Sequence, residues 1–192
     1  VAPVNEPLRN LRSGTKREPL GLRALFDAHY PSIWRLLRRL GVRQAQLDDA
    51  AQEVFWVAAR RLGDIKPGSE HPFLYGVALR VASQEVRRQA AAMPLAAVAE
   101  LPLLVDERPP ADEQLADKEA RALLDEALAA LPLDLRAVLV LHELEGLEVR
   151  QIAEIEAIPV GTASSRLRRA REEFSAVAKR MRARLVARGG HG

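Results

Sequence analysis

Residues 149–171 read VRQIAEIEAIPVGTASSRLRRAR. A short amphipathic run from Val149 to Ile155 leads into a turn, Glu156 to Pro159. A longer helix follows, with Ala163, Leu167, Ala170, Phe174 and Val177 as its apolar stripe. These three- and four-residue steps are helical, and a short helix, a tight turn and a second helix rich in Ser and Arg make a helix-turn-helix. At about 100° per residue, Thr162, Ser165, Arg166 and Arg169 fall on the side away from that stripe. Gly161 lets a phosphate come close to the start of the helix, where free amides attract anions. Arginine can grip a guanine edge with two bonds, and Ser or Thr can bond base or backbone. The candidate duplex-contacting set is therefore Gly161, Thr162, Ser164, Ser165, Arg166, Arg168, Arg169 and Arg171, with Lys179, Arg180, Arg182 and Arg184 adding charge for phosphates. An ordinary amphipathic helix with a basic exterior has the same outline. The turn itself carries Glu156-Ala157, where a glycine is usual for a left-handed backbone position.

Working outward, every other periodic segment is also helical. Leu22, Leu25, Phe26, His29, Tyr30, Ile33, Trp34, Leu37 and Leu40 mark one helix, ended by Gly41. Leu47, Ala51, Val54, Phe55, Ala58 and Leu62 mark a second, stopped at Gly63. The stretch 63–72 is dense in turn formers and reads as a loop, with Pro72 in the first turn of a third helix that runs to about Gln89. Residues 91–116 lose periodicity and turn acidic and rich in Pro and Ala. Helices resume near Asp117, with stripes at Leu123, Leu124, Ala127, Leu128 and Leu131, then at Leu135, Val138, Leu139, Leu141 and Leu144. No alternating pattern of a strand occurs. The expected fold class is all-α: two small helical domains, 20–90 and 117–180, joined by a flexible linker at 91–116, with a flexible leader at 1–19 and a basic tail at 181–192.

Two helical faces stand out. Asp48, Asp49, Gln52, Glu53 and Trp56 lie along one side of the second helix, opposite its apolar stripe, and an acidic, amide-bearing ridge suits a basic protein partner as well as plain solvent. On the third helix Phe73, Gly76, Arg80, Gln84, Arg87 and Arg88 form a stripe beside the loop. Such a cationic, amide and aromatic mixture suits single-stranded DNA, with arginines on phosphates and bases stacked or bonded. Seven of the eight aromatic residues fall between 26 and 75, most of them as core; Trp56, Phe73 and Tyr75 are the candidates for exposure.

Composition narrows the class. The chain has 192 residues, 48% of them hydrophobic and only 4% aromatic, which favours helices with real cores. Charge is segregated: residues 119–158 hold nine acids against three bases, and 159–192 hold nine bases against two acids. Separate basic blocks are the usual electrostatic footprint of nucleic-acid contact. There is no cysteine, so disulfides and thiolate zinc sites are excluded. His29, His71, His142 and His191 show no metal-ligand spacing, His142-Glu143 reads as a helix-surface pair, and no P-loop or HExxH pattern occurs, so neither catalytic residues, metal nor cofactor are expected. Residues 1–18 lack the apolar centre of a signal peptide and no run of about 18 apolar residues exists, so no membrane insertion is expected and the cytoplasm is the expected compartment.

The motifs also carry a resemblance. Leu131-Pro132, Arg136, Leu144-Glu145-Gly146-Leu147, Ile152-Ala153-Glu154, Ile158-Pro159-Val160-Gly161-Thr162, Ser165-Arg166-Leu167 and Arg169-Ala170-Arg171 stand in the order of region 4 of extracytoplasmic-function (ECF) RNA polymerase sigma factors. Asp49-Ala50-Ala51-Gln52-Glu53-Val54-Phe55 and Phe73-Leu74-Tyr75-Gly76-Val77-Ala78 with Val86-Arg87-Arg88 resemble region 2 of the same family. The resemblance covers about 20–90 and 117–178. It implies a protein that binds RNA polymerase core and directs initiation at promoters. Asp49, Gln52 and Glu53 would meet the β′ clamp helices and Phe55 would be core. The third helix and the loop Asp64 to His71 would open the −10 element and hold a flipped base, while region 4 would bind the −35 element and the β flap. The linker would thread polymerase's RNA channels, and an anti-sigma factor is implied as a further partner. The chain departs from the family's usual words at Ala163-Ser164, where a Lys is common, at Glu148 in place of a Ser cap, and at Leu79-Arg80 in place of Arg-Asn.

Two other classes compete. A helix-turn-helix regulator acting without polymerase would explain residues 149–171 but not the acidic ridge or the third-helix stripe, and would usually form a symmetric dimer, which is not expected here. A pure interaction protein, such as an anti-sigma or a helical adaptor, would have no use for Arg166, Arg168, Arg169 and Arg171.

Overall fold

A computed structural model describes residues 21–66, 68–92 and 115–189, without the side chains of 115–119 and 185–189. The described residues form α1 (Leu22–Arg39), α2 (Gln44–Arg60), a 3₁₀ turn (Leu62–Asp64), α3 (Glu70–Ala92), α4 (Leu115–Ala129), α5 (Leu133–Leu139), α6 (Val149–Glu156) and α7 (Val160–Gly189), and contain no strand. The all-α reading holds. The helix edges differ in detail: α3 starts two residues before Pro72 and outruns Gln89, and α7 continues as helix to Gly189 through much of the stretch read as a tail. Residues 93–114, most of the expected linker, and 1–20, the expected leader, lie outside the described residues.

Helices α1, α2 and α3 pack as a bundle around Leu25, Ile33, Leu36, Leu37, Leu47, Val54, Leu74 and Val81, each under 5% exposed. The α1–α2 corner turns at Gly41, whose φ of 99° is open to glycine; the Val42 amide reaches back to the Leu37 carbonyl (3.1 Å) and closes the end of α1. In the second unit α4 and α5 pack on α7, with Leu128, Val138, Leu141, Leu167 and Ala170 buried. Val140 to Leu144 widen into a π turn, in which the Glu145 amide bonds the Val140 carbonyl five residues back (3.1 Å). Gly146, at φ 72°, then reverses the chain into α6.

How the two units sit against each other was not legible in the sequence. The buried apolar residues of both form one continuous cluster, with α6 on α3 and α4 beside α1. Polar groups cross the same boundary. Arg38 pairs with Asp125 (2.9 Å), Arg39 with Glu145 (2.8 Å), and the Tyr75 hydroxyl donates to Glu145 (2.5 Å). Arg136 is 7% exposed. Its guanidinium donates to the carbonyls of Leu40 (2.8 Å), Ala129 (2.7 Å) and Leu131 (3.0 Å), tying the C-terminal ends of α1 and α4 together. Burial pulls its pKa down to about 10, so it stays charged at neutral pH.

Candidate functional site

Three exposed surfaces carry the candidate residues. The first is the outer side of α2. Six apolar positions of α2, from Leu47 to Ala58, are buried. Of the opposite side, Asp49, Gln52, Glu53 and Trp56 are exposed, and Asp48 is exposed beside them. Trp56 is 60% exposed, with the Arg60 guanidinium 4.3 Å from its ring centroid. A large aromatic held open in this way, next to two carboxylates, has the makeup of an interface anchor. Asp48 differs from its neighbours on the ridge. Its carboxylate accepts from Tyr30 (3.2 Å) and from the Trp34 indole (3.1 Å), so it joins α2 to α1. Burial, and then Asp48 itself, raise the Tyr30 pKa. Asp49, Gln52 and Glu53 have no such bonds among the described residues, and Phe55 is buried as expected.

The second surface is α3 and the loop before it. Arg80, Gln84, Arg87 and Arg88 lie along one side and are all exposed, with Arg88 paired to Glu85. Phe73 is half-buried beneath the Arg61 guanidinium, 5.6 Å from the ring centroid. Tyr75, a candidate for exposure in the sequence, is fully buried. Its ring packs at a tilt against His71 (4.4 Å), His71 lies 5.2 Å from His29, and the Tyr75 hydroxyl bonds Glu145. That burial and the Glu145 carboxylate push the phenol well above its usual range. The loop is pinned by buried Ile65 and by the Arg61–Asp64 pair (3.1 Å), and it reverses at Gly68, with φ 87°. The N-terminal end of this surface faces α6. A cleft of about 320 Å³ lies between Ser69, Pro72 and Phe73 on one side and Gln151, Glu154 and Ile155 of α6 on the other, and a Cβ placed on Gly76 would stand 3.8 Å from Ile155.

The third surface is the helix-turn-helix. Glu148 serves as N-cap of α6 in a capping box: its side chain takes the Gln151 amide while the Gln151 side chain takes the Glu148 amide (2.8 Å). The departure from serine at this cap is therefore compensated. Ala157 ends α6 in the left-handed region (φ 55°, ψ 45°), and Ile158 closes on the Ala153 carbonyl (2.9 Å). It is the one non-glycine residue with positive φ among those described. The chain takes the usual turn with an unusual residue in it.

On α7 the expected apolar stripe is turned inward: Ala163, Leu167, Ala170 and Val177 are buried and Phe174 is half-buried. Gly161, Ser164, Ser165, Arg168, Arg169 and Arg171 are exposed, and Thr162 is half-buried. Arg166 stands apart. It is half-buried and bonds Glu156 at the end of α6 (2.9 Å), with Asp134 of α5 3.6 Å away. Burial raises the Glu156 pKa, and Arg166 pulls against that rise. The other arginines also meet carboxylates: Arg168 with Glu172 (2.7 Å), Arg169 with Glu173 (2.8 Å) and Arg171 with Glu143 (2.7 Å). His142 and Glu143 do not pair with each other, since His142 bonds the Leu147 carbonyl (2.8 Å). Exposed pairs of this kind contribute about 0–1 kcal/mol each, little enough for a phosphate to displace them. Sequence spacing shows the two i,i+4 pairs; the partners Glu143 and Glu156 appear only in the folded chain.

Beside this surface Leu123, Leu124, Phe174, Ala178 and Met181 line an open apolar groove of about 380 Å³ between α4 and α7. Among the described residues no group of three or more His, Cys, Asp or Glu could hold a metal, and no helix is long and apolar enough to cross a membrane.

Comparison with known proteins gives a consistent picture. The family model for sigma-70 region 2 matches residues 25–92 and that for sigma-70 region 4 matches residues 121–174. Over 157 residues, 77% of this chain, it is 35% identical to an ECF RNA polymerase sigma-E factor of Haemophilus influenzae and covers 82% of that protein. Over 150 residues, 78% of this chain, it is 28% identical to the ECF RNA polymerase sigma factor SigE of Mycolicibacterium smegmatis, of which it spans 58%. A sigma factor RpoE from Bartonella quintana, solved in complex with the anti-sigma factor NepR, shares the fold: TM-score 0.65 at 18% identity, over 82% of this chain and 96% of that one.

Proposed function

The chain belongs to the ECF family of RNA polymerase sigma factors, and from that premise we propose that it binds polymerase core in the cytoplasm and directs initiation at a promoter with distinct −35 and −10 elements. Residues 20–90 act as region 2 and 117–180 as region 4, joined by 91–116. The ridge Asp48, Asp49, Gln52, Glu53 and Trp56 takes the β′ clamp helices, with Asp48 also bracing α2 against α1. Phe73, Arg80, Gln84, Arg87 and Arg88 hold the opened strand of the −10 element. Gly161, Thr162, Ser164, Ser165, Arg168, Arg169 and Arg171 face the −35 duplex, and Arg166 joins them chiefly by setting the angle between α6 and α7. The apolar groove between α4 and α7 is the seat for the β flap, and an anti-sigma factor is a further partner. No step of this function makes or breaks a covalent bond.

One observation carries this reading: three surfaces of different chemistry stand on α2, α3 and α7 of one short chain. A regulator acting without polymerase would use the third and leave the first two without a task. The test is transcription in vitro from a panel of genomic promoters, with purified core polymerase and this protein. Specific transcripts that core alone does not make are expected. Their absence across the panel, together with no binding to core, would overturn the reading.

A further inference from the structure

Three helices of the C-terminal unit meet on one guanidinium. Arg166, in the second turn of α7, bonds Glu156, the last residue of α6, at 2.9 Å and stands 3.6 Å from Asp134 in the first turn of α5. The Glu156 side chain is 10% exposed, against 30% for Arg166 and 53% for Asp134. This pair differs from its neighbours on α7. Arg168, Arg169 and Arg171 meet carboxylates that are 35% exposed or more, where water screens the charge and a phosphate can take the place of the acid. Around Glu156 most of that water is excluded, so the bond to Arg166 resists displacement and fixes the end of α6 to the side of α7.

The turn between α6 and α7 needs such a tie. Ala157 holds a left-handed φ of 55°, which glycine takes freely, and a strained residue persists only where its surroundings fix it. The base-reading residues also stand on a lever. Arg169 lies nine residues beyond Val160, so a tilt of α7 at the turn by about 5° carries it about 1 Å. Reading a base needs placement within about 0.5 Å, whereas a long side chain can follow a phosphate. Glu156 has one carboxylate oxygen buried with no donor among the described residues. Burial therefore raises its pKa above the ordinary 4.5, Arg166 pulls it down, and Asp134 pushes it up. The π turn and α3, the other elements against α6, add no charged group to it among the described residues. Resting on the −35 reading above, we propose that Glu156 is a positioning residue for the −35 duplex, acting through Arg166, and that protonating its carboxylate in mild acid loosens base discrimination while leaving phosphate contact intact.

Plain electrostatics and positioning predict opposite signs. Removing a carboxylate beside a DNA-binding surface should, by charge alone, tighten binding to every duplex. Positioning predicts a loss confined to the right one. The test takes the full chain, a duplex it selects from a random pool, and a scrambled duplex, with both affinities read by fluorescence anisotropy well below the melting range. Glu156→Ala is expected to lose about tenfold in the ratio of the two affinities, with the scrambled duplex bound as well as before or better. Glu156→Gln keeps an acceptor for Arg166 and is expected to lose about threefold. Between about pH 7.5 and about pH 5 the parent's ratio should fall while that of Glu156→Gln stays level, since only the parent has this carboxylate to protonate. Protonation of the histidines alters both proteins alike. An unchanged ratio in Glu156→Ala, an equal loss on both duplexes, or parallel pH profiles for the parent and Glu156→Gln would overturn the proposal. A parent with no preference among duplexes would strike the −35 reading itself, and the role of Glu156 with it.

Discussion

The guanidinium of Arg136 donates a hydrogen bond to the carbonyl of Leu40, ninety-six residues earlier in the chain, at 2.8 Å. The same group bonds the carbonyls of Ala129 and Leu131. A residue that looks in sequence like part of a region 4 signature thus fastens the ends of two helices, one from each half of the molecule. Replacing Arg136 with Met leaves three carbonyls without their donor, and the two in buried bonds, of Leu40 and Leu131, cost about 1–3 kcal/mol each before local relaxation. The expected result is a fall of about 3 kcal/mol or more in stability by urea unfolding, with Gly41→Ala, which strains a φ of 99° and crowds the same group, losing about 1–2 kcal/mol from backbone strain alone. A Gly41→Ala loss no larger than that strain would mean that Arg136 moves aside freely, and a protein as stable as the parent would refute the strain as well.

Ala157 sits at φ 55° in the turn of the helix-turn-helix. Glycine occupies that region without the steric cost a Cβ imposes, about 1–2 kcal/mol. Ala157→Gly is therefore expected to stabilise the protein by about 1 kcal/mol, offset in part by the looser unfolded chain, and to raise the thermal midpoint by about 2–4 °C. A lowered midpoint in a scanning calorimeter would show that Ala157 is better accommodated than its backbone angles indicate.

The arginines of α7 should separate by role. Arg169→Ala is expected to weaken −35 binding by about 1–3 kcal/mol if it reads a base, or to reduce the salt slope by about one if it holds a phosphate. Arg166→Ala should lower thermal stability as well, because it leaves the mostly buried Glu156 without its cation. Glu173→Gln releases Arg169 and removes a nearby negative charge, so it should tighten binding to any duplex at low salt. Fluorescence anisotropy with specific and scrambled duplexes reads the binding of all three, and thermal melts read their stability; equal loss of stability for Arg166→Ala and Arg169→Ala would refute the distinction.

On α2 the ridge is exposed and makes few internal bonds, so its loss should spare the fold. The double variant Asp49→Lys/Glu53→Lys is expected to abolish co-purification with core, and Trp56→Ala to weaken it by about 2 kcal/mol or roughly thirtyfold. Circular dichroism should be unchanged for both. Normal core binding by the charge-reversed protein would remove the ridge from the interface.

His29 supplies a pH dependence. Burial first, and then the neighbouring His71, hold its imidazole below 6.5, with Glu70 pulling the other way. The unfolded chain binds a proton near 6.5 while the folded chain resists it, so this contribution to stability is present above pH 6.5 and is lost as the pH falls through the lowered folded value. Urea midpoints measured at about pH 7.5 and about pH 5.5, either side of that range, should drop for the parent and drop less for His29→Gln. Parallel slopes for the two proteins would exclude His29 as the source.

Much of this molecule was written in local pattern. The three- and four-residue steps between apolar residues, from Leu22 through to Val177, determined the helices and their inward faces, because a helix of about 3.6 residues per turn repeats its buried side at that interval. The same logic put Asp49, Gln52, Glu53 and Arg169 on the outside, where they stand. Tertiary structure alone decided what depends on two distant segments meeting. It buried Tyr75 against Glu145, drew Arg166 onto Glu156, turned Asp48 toward Tyr30 and Trp34, and laid α6 across Phe73 and Gly76. Those outcomes rest on packing and on the pairing of buried charges, which no window of neighbouring residues contains.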